Sequence, residues 1–77
     1  MYSDLNPSNF TKTENKDKLY NCKKYTVISF TELPDQPYLF YKTDGMYSIC
    51  KCMVGEFKGE IFHPAAWSDV YLWSENK

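Results

Sequence analysis

The segment from residue 38 to residue 54 decides the fold, and it reads YLFYKTDGMYSICKCMV. Two runs rich in aromatic and apolar residues flank the dipeptide Asp44-Gly45, and runs of this kind favour strands. Asp-Gly between two such runs is a strong hairpin signal, because a type I′ turn needs a positive φ at both central residues. The segment therefore predicts an antiparallel hairpin with Asp44 and Gly45 at its tip.

This turn also predicts which side chains share a face of the hairpin. With Asp44 and Gly45 as the central residues, Leu39 lies opposite Cys50 and Tyr41 lies opposite Ser48. The predicted core face collects Leu39, Tyr41, Cys50, Cys52 and Val54. The other face, expected to be half covered or used for contact, collects Tyr38, Phe40, Tyr47, Ile49, Lys42 and Lys51.

Further strands are predicted on both sides of the hairpin. Residues 25–31 form a β-branched and aromatic run, which the two prolines of residues 33–37 end. Residues 60–62 and 70–73 predict two more strands, and residues 63–68 a single helical turn that begins at Pro64. The expected fold is mainly β, with β-rich α+β as the alternative. It is a small antiparallel meander sheet or partly open barrel of four or five short strands with one or two short helical turns.

The chain is long enough for one small domain, with 77 residues. Residues 1–18 are polar and are expected to form either a flexible N-terminal arm or a segment held by Leu5 and Phe10. Residues 19–77 are expected to form the single β-rich domain. A chain of this size buries only about 60% of its unfolded surface, so its core is thin.

Charge and hydropathy exclude several classes of protein. The chain has nine lysines, no arginine and ten carboxylates, with a net charge of −1. A protein that reads DNA or RNA bases is usually basic and uses arginine for bidentate contacts to guanine, so base readout is not expected. No apolar run of about 18 residues and no basic-then-apolar leader is present, which predicts a cytoplasmic protein that does not enter a membrane.

Three cysteines and one histidine are the candidates for metal binding and catalysis. Cys50 and Cys52 would lie on one strand face, and Cys22 with His63 could complete four zinc ligands. Thiols two residues apart on a strand are roughly 7 Å apart, which suits neither a disulfide nor one metal ion. Reduced cysteines that act as small core residues are therefore expected, with no metal and no cofactor.

A hydrolase would need His63 as its base, with Ser68 or a cysteine as the nucleophile held beside it. A structural or binding role is favoured for His63, which would cap a helical turn or pack against Trp67. No phosphate-loop, dinucleotide-binding or G-x-S-x-G motif occurs. The protein is expected not to be an enzyme, with a His63-based activity kept as an alternative.

The aromatic residues carry the prediction of a binding surface. Aromatic residues make up 18% of the chain, more than a thin core beside solvated lysines can bury. Tyrosine and tryptophan dominate binding hot spots because they bury large areas at low entropic cost. The predicted binding residues are Trp67, Tyr71, Trp73, Tyr38, Phe40, Tyr47, Lys42 and Lys51.

Four short motifs are spread over residues 25–75, namely Leu33-Pro34, Leu39-Phe40-Tyr41, Asp44-Gly45 and the closing aromatic run Tyr71-Leu72-Trp73. Their layout resembles that of a family of uncharacterised phage and prophage proteins. The opening tryptophan of that family is missing here, and Tyr25 stands in its place. The resemblance implies a small phage accessory protein and carries over no functional residue.

The sequence thus predicts a non-enzymatic phage-type accessory protein that binds a host protein and inhibits or redirects it. The contact would be an aromatic and acidic surface near residues 67–73. The alternative is a protein that binds or sequesters a nucleotide in an aromatic slot, within one chain or between subunits, with lysines for the phosphate. In either case a dimer or larger oligomer is expected, because an open small sheet leaves edges and an apolar face to cover.

Overall fold

The computed structural model describes residues 6–76, and most of them belong to one six-stranded antiparallel sheet. Two single turns of 3-10 helix, Pro7–Asn9 and Leu19–Asn21, are the helical elements of this part of the chain. The prediction of a small, mainly β antiparallel fold is confirmed, in the form of an open sheet. The strands are β1 (Phe10–Lys18), β2 (Val27–Phe30), β3 (Tyr38–Asp44), β4 (Tyr47–Cys52), β5 (Ile61–Phe62) and β6 (Asp69–Glu75).

The strand order in the sheet is β1-β6-β2-β3-β4-β5. The four strands from β2 to β5 follow one another as the predicted meander. β6 departs from that order, because it crosses back and pairs with β2 on one side and β1 on the other. The first and last strands of the chain therefore lie side by side, and β1 and β5 form the two edges.

β1 corrects the predicted boundary at residue 19. Residues 10–18 belong to the sheet, with Phe10 opposite Glu75 at one end and Lys18 opposite Asp69 at the other. The strand has no apolar alternation, so its sequence carries no periodic signal; its pairing with β6 comes from backbone hydrogen bonds. Phe10 packs against buried Val27 and its neighbours, whereas Leu5 lies outside the described residues.

The β3–β4 hairpin exists, but its predicted register is wrong. Asp44 pairs with Tyr47, so the two central residues of the turn are Gly45 and Met46. Gly45 has a φ of +69° and Met46 is not among the residues with positive φ, as in a turn with glycine at its first central position. Between Phe40 and Lys42 the register shifts at a bulge.

The changed register places the larger of two apolar clusters on the other face of β3. Because side chains alternate along a strand, a slip of one residue exchanges its two faces. Tyr38 and Phe40 pair with Cys52 and Cys50 and lie in the larger core, whereas Leu39 lies opposite Lys51. The larger core contains Leu19, Ile28, Tyr38, Phe40, Cys50, Cys52 and Val70.

A second, smaller cluster lies on the opposite face of the sheet. Val27, Leu39 and Met53 are its buried members. Partly buried side chains surround them and take the place of a covering layer, namely Phe10, Tyr25, Tyr41, Val54 and Trp73. Both faces of the sheet therefore carry apolar side chains, and the second is closed mainly by aromatic rings.

Residues 63–68 do not form the predicted helical turn. The backbone N–H of Ser48 donates to Pro64 O at 2.8 Å, and that of Ala66 donates to Met46 O at 2.8 Å. Ala65 also forms a β-bridge with Tyr47. Backbone groups of residues 64–66 pair with Met46 and Ser48 beside β4, and the Ser68 N–H donates back to Ala65 O at 3.1 Å, which makes a turn and not a helical turn.

Candidate interaction surface

Two of the predicted binding residues, Tyr38 and Phe40, are core residues. Their exposed fractions are 6% and 2%. The Tyr38 ring meets Phe30 and Phe62 edge to face, with centroids 5.0 and 5.7 Å apart. Their assignment to a contact surface or to a nucleotide slot is therefore corrected, because neither ring can reach a ligand.

Trp73 is half-buried and fixed by a hydrogen bond. Its indole N–H donates to the Ser29 hydroxyl at 2.9 Å, and its ring packs against the smaller apolar cluster. A buried hydroxyl needs such a partner, since leaving it unpaired costs about 1–3 kcal/mol. This geometry gives Trp73 a structural role at the centre of the sheet.

Tyr71 is also half-buried, and two lysines that were not among the predicted binding residues lie over its ring. The Nζ atoms of Lys12 and Lys16 lie 4.4 and 5.2 Å from the centroid of its ring. Lysine ammonium groups within about 6 Å of an aromatic face are attracted by its quadrupole. The two lysines predicted to bind lie away from Tyr71, on strands β3 and β4. Lys42 is exposed opposite Ile49, and Lys51 lies opposite Leu39.

Trp67, in contrast, is exposed in the turn before β6, with 53% of its surface accessible. Backbone contacts bring the segment of residues 65–67 next to three other residues whose side chains are exposed. The Tyr20 N–H donates to Ala66 O at 2.9 Å, Ala66 pairs with Met46, and Ala65 bridges to Tyr47. We call this set, made of Tyr20, Met46, Tyr47 and Trp67, the Trp67 surface.

A groove of about 340 Å³ adjoins the Trp67 surface at the ends of β1, β2 and β6. Lys18 and Asp69 close one part of it with an ion pair of 2.8 Å, and the hydrogen bond and charge of Asp69 raise the pKa of Lys18. Glu32 is a second carboxylate in the groove, without an ion-pair partner among residues 6–76. The lining residues are Lys18, Phe30, Thr31, Glu32, Trp67, Ser68 and Asp69.

All three cysteines are free. Burial raises the pKa of Cys22 and of Cys50 to about 11 in each case. A thiol rather than a thiolate is then present at neutral pH, and the thiolate is the form that attacks substrates or binds metals. Within residues 6–76 no group of three or more His, Cys, Asp or Glu side chains is placed to hold a metal ion.

His63 is exposed and contacts a backbone group instead of a nucleophile. Its Nδ1 lies 3.3 Å from the carbonyl oxygen of Ser48, and because a carbonyl can only accept, Nδ1 carries the proton. No hydrogen bond in the described part of the chain joins His63 to Ser68 or to a cysteine. The pair that a serine or cysteine hydrolase requires is not formed there.

Sequence reasoning missed Tyr20, Met46, Lys12 and Lys16. Each reaches its place through a backbone partner far away in the chain, for which a sequence has no local signal. Neither of the two 3-10 turns between residues 6 and 76, nor anything else helical there, has the length and apolarity to span a bilayer. Comparisons with family models, curated proteins and solved structures find no match to this chain.

Proposed function

We propose that this protein is a non-enzymatic, phage-type accessory protein that binds a host protein through the Trp67 surface and so inhibits or redirects it. The supporting observation is that backbone pairing brings several residues with exposed apolar side chains into one part of the fold. Seven large hydrophobic residues within residues 6–76 are exposed, and four of them form the Trp67 surface. Grouped apolar exposure of this kind marks contact sites, whereas scattered exposed residues do not.

The groove beside Trp67 gives the surface a polar rim. Its Glu32 carboxylate is unpaired among the described residues, while Asp69 is already engaged by Lys18. A partner that places a lysine or arginine near Glu32 and an apolar side chain on Trp67 would satisfy both groups. Interfaces combine an aromatic centre with a polar rim in this way.

Affinity capture from a bacterial lysate tests the proposal when it is made with matched variants. The test variant is Tyr20→Ala/Trp67→Ala, which removes two exposed rings of the Trp67 surface. The control variant is Leu33→Ala/Phe57→Ala, which removes two side chains of similar exposure, 52% and 48%, from outside it. Both variants should stay folded, because substitutions at exposed positions usually change the free energy of unfolding by about 0.5 kcal/mol or less.

The expected result is one host protein captured by the wild type and the control and lost by the test variant. The purified partner should then bind the wild type at least about 100-fold more tightly than the test variant, as for two hot-spot residues of about 2 kcal/mol each with incomplete additivity. Capture by none of the three proteins, or equal capture by all three, would reject the Trp67 surface as the binding site.

Self-association stays a prediction beside host binding. The open sheet leaves β1 and β5 as edges, and unpaired edges can add a strand from another chain. Light scattering at micromolar concentration should give the mass of a dimer or larger oligomer, and a mass of 9.1 kDa would refute it.

A further inference from the structure

The pairing of β1 with β6 contains an irregularity with a consequence for charge. Lys12 lies opposite Trp73 and Lys16 opposite Tyr71, so residues 13–15 of β1 face only Leu72 of β6. Bulges of this kind bend a strand and re-aim its side chains, and they are frequent beside functional sites.

Two hydrogen bonds of the Thr13 hydroxyl stabilise the bulge. Thr13 Oγ1 donates to the carbonyl oxygen of Leu72 at 2.7 Å and accepts the N–H of Asn15 at 3.1 Å. Leu72 itself packs against the larger core, so the bulge is anchored to a strand in the interior of the sheet.

The bulge brings two like charges together. In a regular strand, residues four apart are separated by roughly 13 Å, whereas the two partners of Lys12 and Lys16 on β6 are two residues apart, roughly 7 Å. The two Nζ atoms accordingly meet the same ring, at 4.4 and 5.2 Å from the Tyr71 centroid.

The described carboxylates leave both lysines without an ion pair. Lys18, two residues beyond Lys16, has Asp69 at 2.8 Å, but neither Lys12 nor Lys16 forms an ion pair within residues 6–76. Glu14 lies between them in the bulge and forms none with either. The Tyr71 ring attracts both ammonium groups but carries no net charge, so the site keeps a local excess of positive charge.

We propose that Lys12, Lys16 and Tyr71 form a binding site for a phosphate group, carried by a free nucleotide or by a single-stranded nucleic-acid backbone. A phosphate between the two ammonium groups would replace their repulsion by charge-assisted hydrogen bonds. Lysines act as point charges, so the site would recognise phosphate without reading a base. It is separate from the Trp67 surface and does not depend on the proposed host contact.

The test is a titration of ¹⁵N-labelled protein with inorganic phosphate at constant ionic strength, followed by the amide shifts of Thr13, Lys16 and Leu72. The variant Lys12→Gln/Lys16→Gln should bind phosphate about tenfold more weakly, as expected when hydrogen bonds to a charged group are lost. The matched control is Lys23→Gln/Lys24→Gln, which changes net charge equally and also removes a lysine over a tyrosine, Lys24 at 5.1 Å from the Tyr25 centroid. The control should bind like the wild type.

A variant of the bulge separates geometry from charge. Thr13→Val keeps every charge but removes the hydrogen bond to Leu72, and it should weaken phosphate binding several-fold. Thr13→Ser keeps the hydroxyl and should bind phosphate like the wild type. Unchanged binding in Thr13→Val, equal losses in the two double-lysine variants, or no phosphate binding by the wild type would each overturn the proposal.

Two further probes identify the source of the phosphate. If adenosine monophosphate competes with inorganic phosphate, and an oligothymidylate binds no more tightly than adenosine monophosphate, the ligand is a nucleotide. Tighter binding of the oligothymidylate that falls steeply with added salt points to a nucleic-acid backbone. Binding of either probe should be lost in Lys12→Gln/Lys16→Gln. If that variant still binds both probes like the wild type, the proposed site is wrong.

Discussion

The indole N–H of Trp73 and the hydroxyl of Ser29 are joined by a hydrogen bond of 2.9 Å, and Ser29 has no exposed surface. The bond connects two strands that are neighbours in the sheet, β6 and β2, although the residues are 44 positions apart. Each polar group satisfies the other in the apolar smaller cluster, so the pair contributes to stability as a unit.

Removing either partner of this bond should therefore destabilise the protein. Ser29→Ala leaves the indole N–H without its acceptor and should lower the free energy of unfolding by about 1–3 kcal/mol. Trp73→Phe should cost at least as much, because it also reduces the packed area. In urea denaturation the double variant should lose less than the two single losses combined, whereas strict additivity would show that the bond contributes nothing.

The observed register of β3 makes opposite predictions for two adjacent aromatic residues. Phe40 is 2% exposed in the larger core, so Phe40→Ala should cost about 3–5 kcal/mol, and the milder Phe40→Leu about 1 kcal/mol. Tyr41 is half-buried and meets Tyr25 edge to face at 5.8 Å, so Tyr41→Ala should cost about 1 kcal/mol. Urea denaturation measures both, and a larger loss for Tyr41 would restore the register inferred from the sequence.

The turn between β3 and β4 gives a second test of register. Gly45 has a φ of +69° and open space around its Cα, so Gly45→Ala should cost about 1–2 kcal/mol through backbone strain alone. Asp44 is a strand residue paired with Tyr47, so Asp44→Thr should be tolerated. If Asp44 were instead a central turn residue with positive φ, a β-branched replacement there would cost as much as the change at Gly45.

Because the Cys50 thiol is buried, we expect the free energy of unfolding to fall at alkaline pH. Burial raises the pKa of Cys50 from 9.0 to about 11, so below pH 9 the thiol is protonated in both the folded and the unfolded chain. Between pH 9 and about 11 only the unfolded chain loses the proton, which favours unfolding. The free energy of unfolding should fall across this range, and less steeply in Cys50→Ala than in the wild type; parallel pH profiles would contradict a buried neutral thiol at Cys50.

Much of the strand content could be predicted from local sequence. The β-branched run around Val27 and the two runs that flank Gly45 are strands, and the prolines near residue 34 end β2 where expected. These features depend on φ/ψ preferences and on the absence of a donor in proline, which act within a few residues.

The candidate surface was predictable only in part. Exposed Trp67 and Tyr47 lie where contact is possible, but the burial of Tyr38 and Phe40 depends on one residue of register. Aromatic composition predicts that some rings remain outside the core, and it does not say which, because core and surface rings alternate along the same strand.

Local sequence was enough to predict a small antiparallel β protein with a hairpin near Gly45 and with lysine as its only strongly basic residue. Three features depend on contacts between distant residues: polar residues 10–18 form β1, the bulge places Lys12 and Lys16 over Tyr71, and residues 65–67 pair with the residues of the Trp67 surface. The two groups differ in the range over which the forces act. Backbone preferences are local, whereas strand pairing satisfies hydrogen-bonding groups that any residue but proline offers, so remote pairing leaves no mark on side-chain pattern.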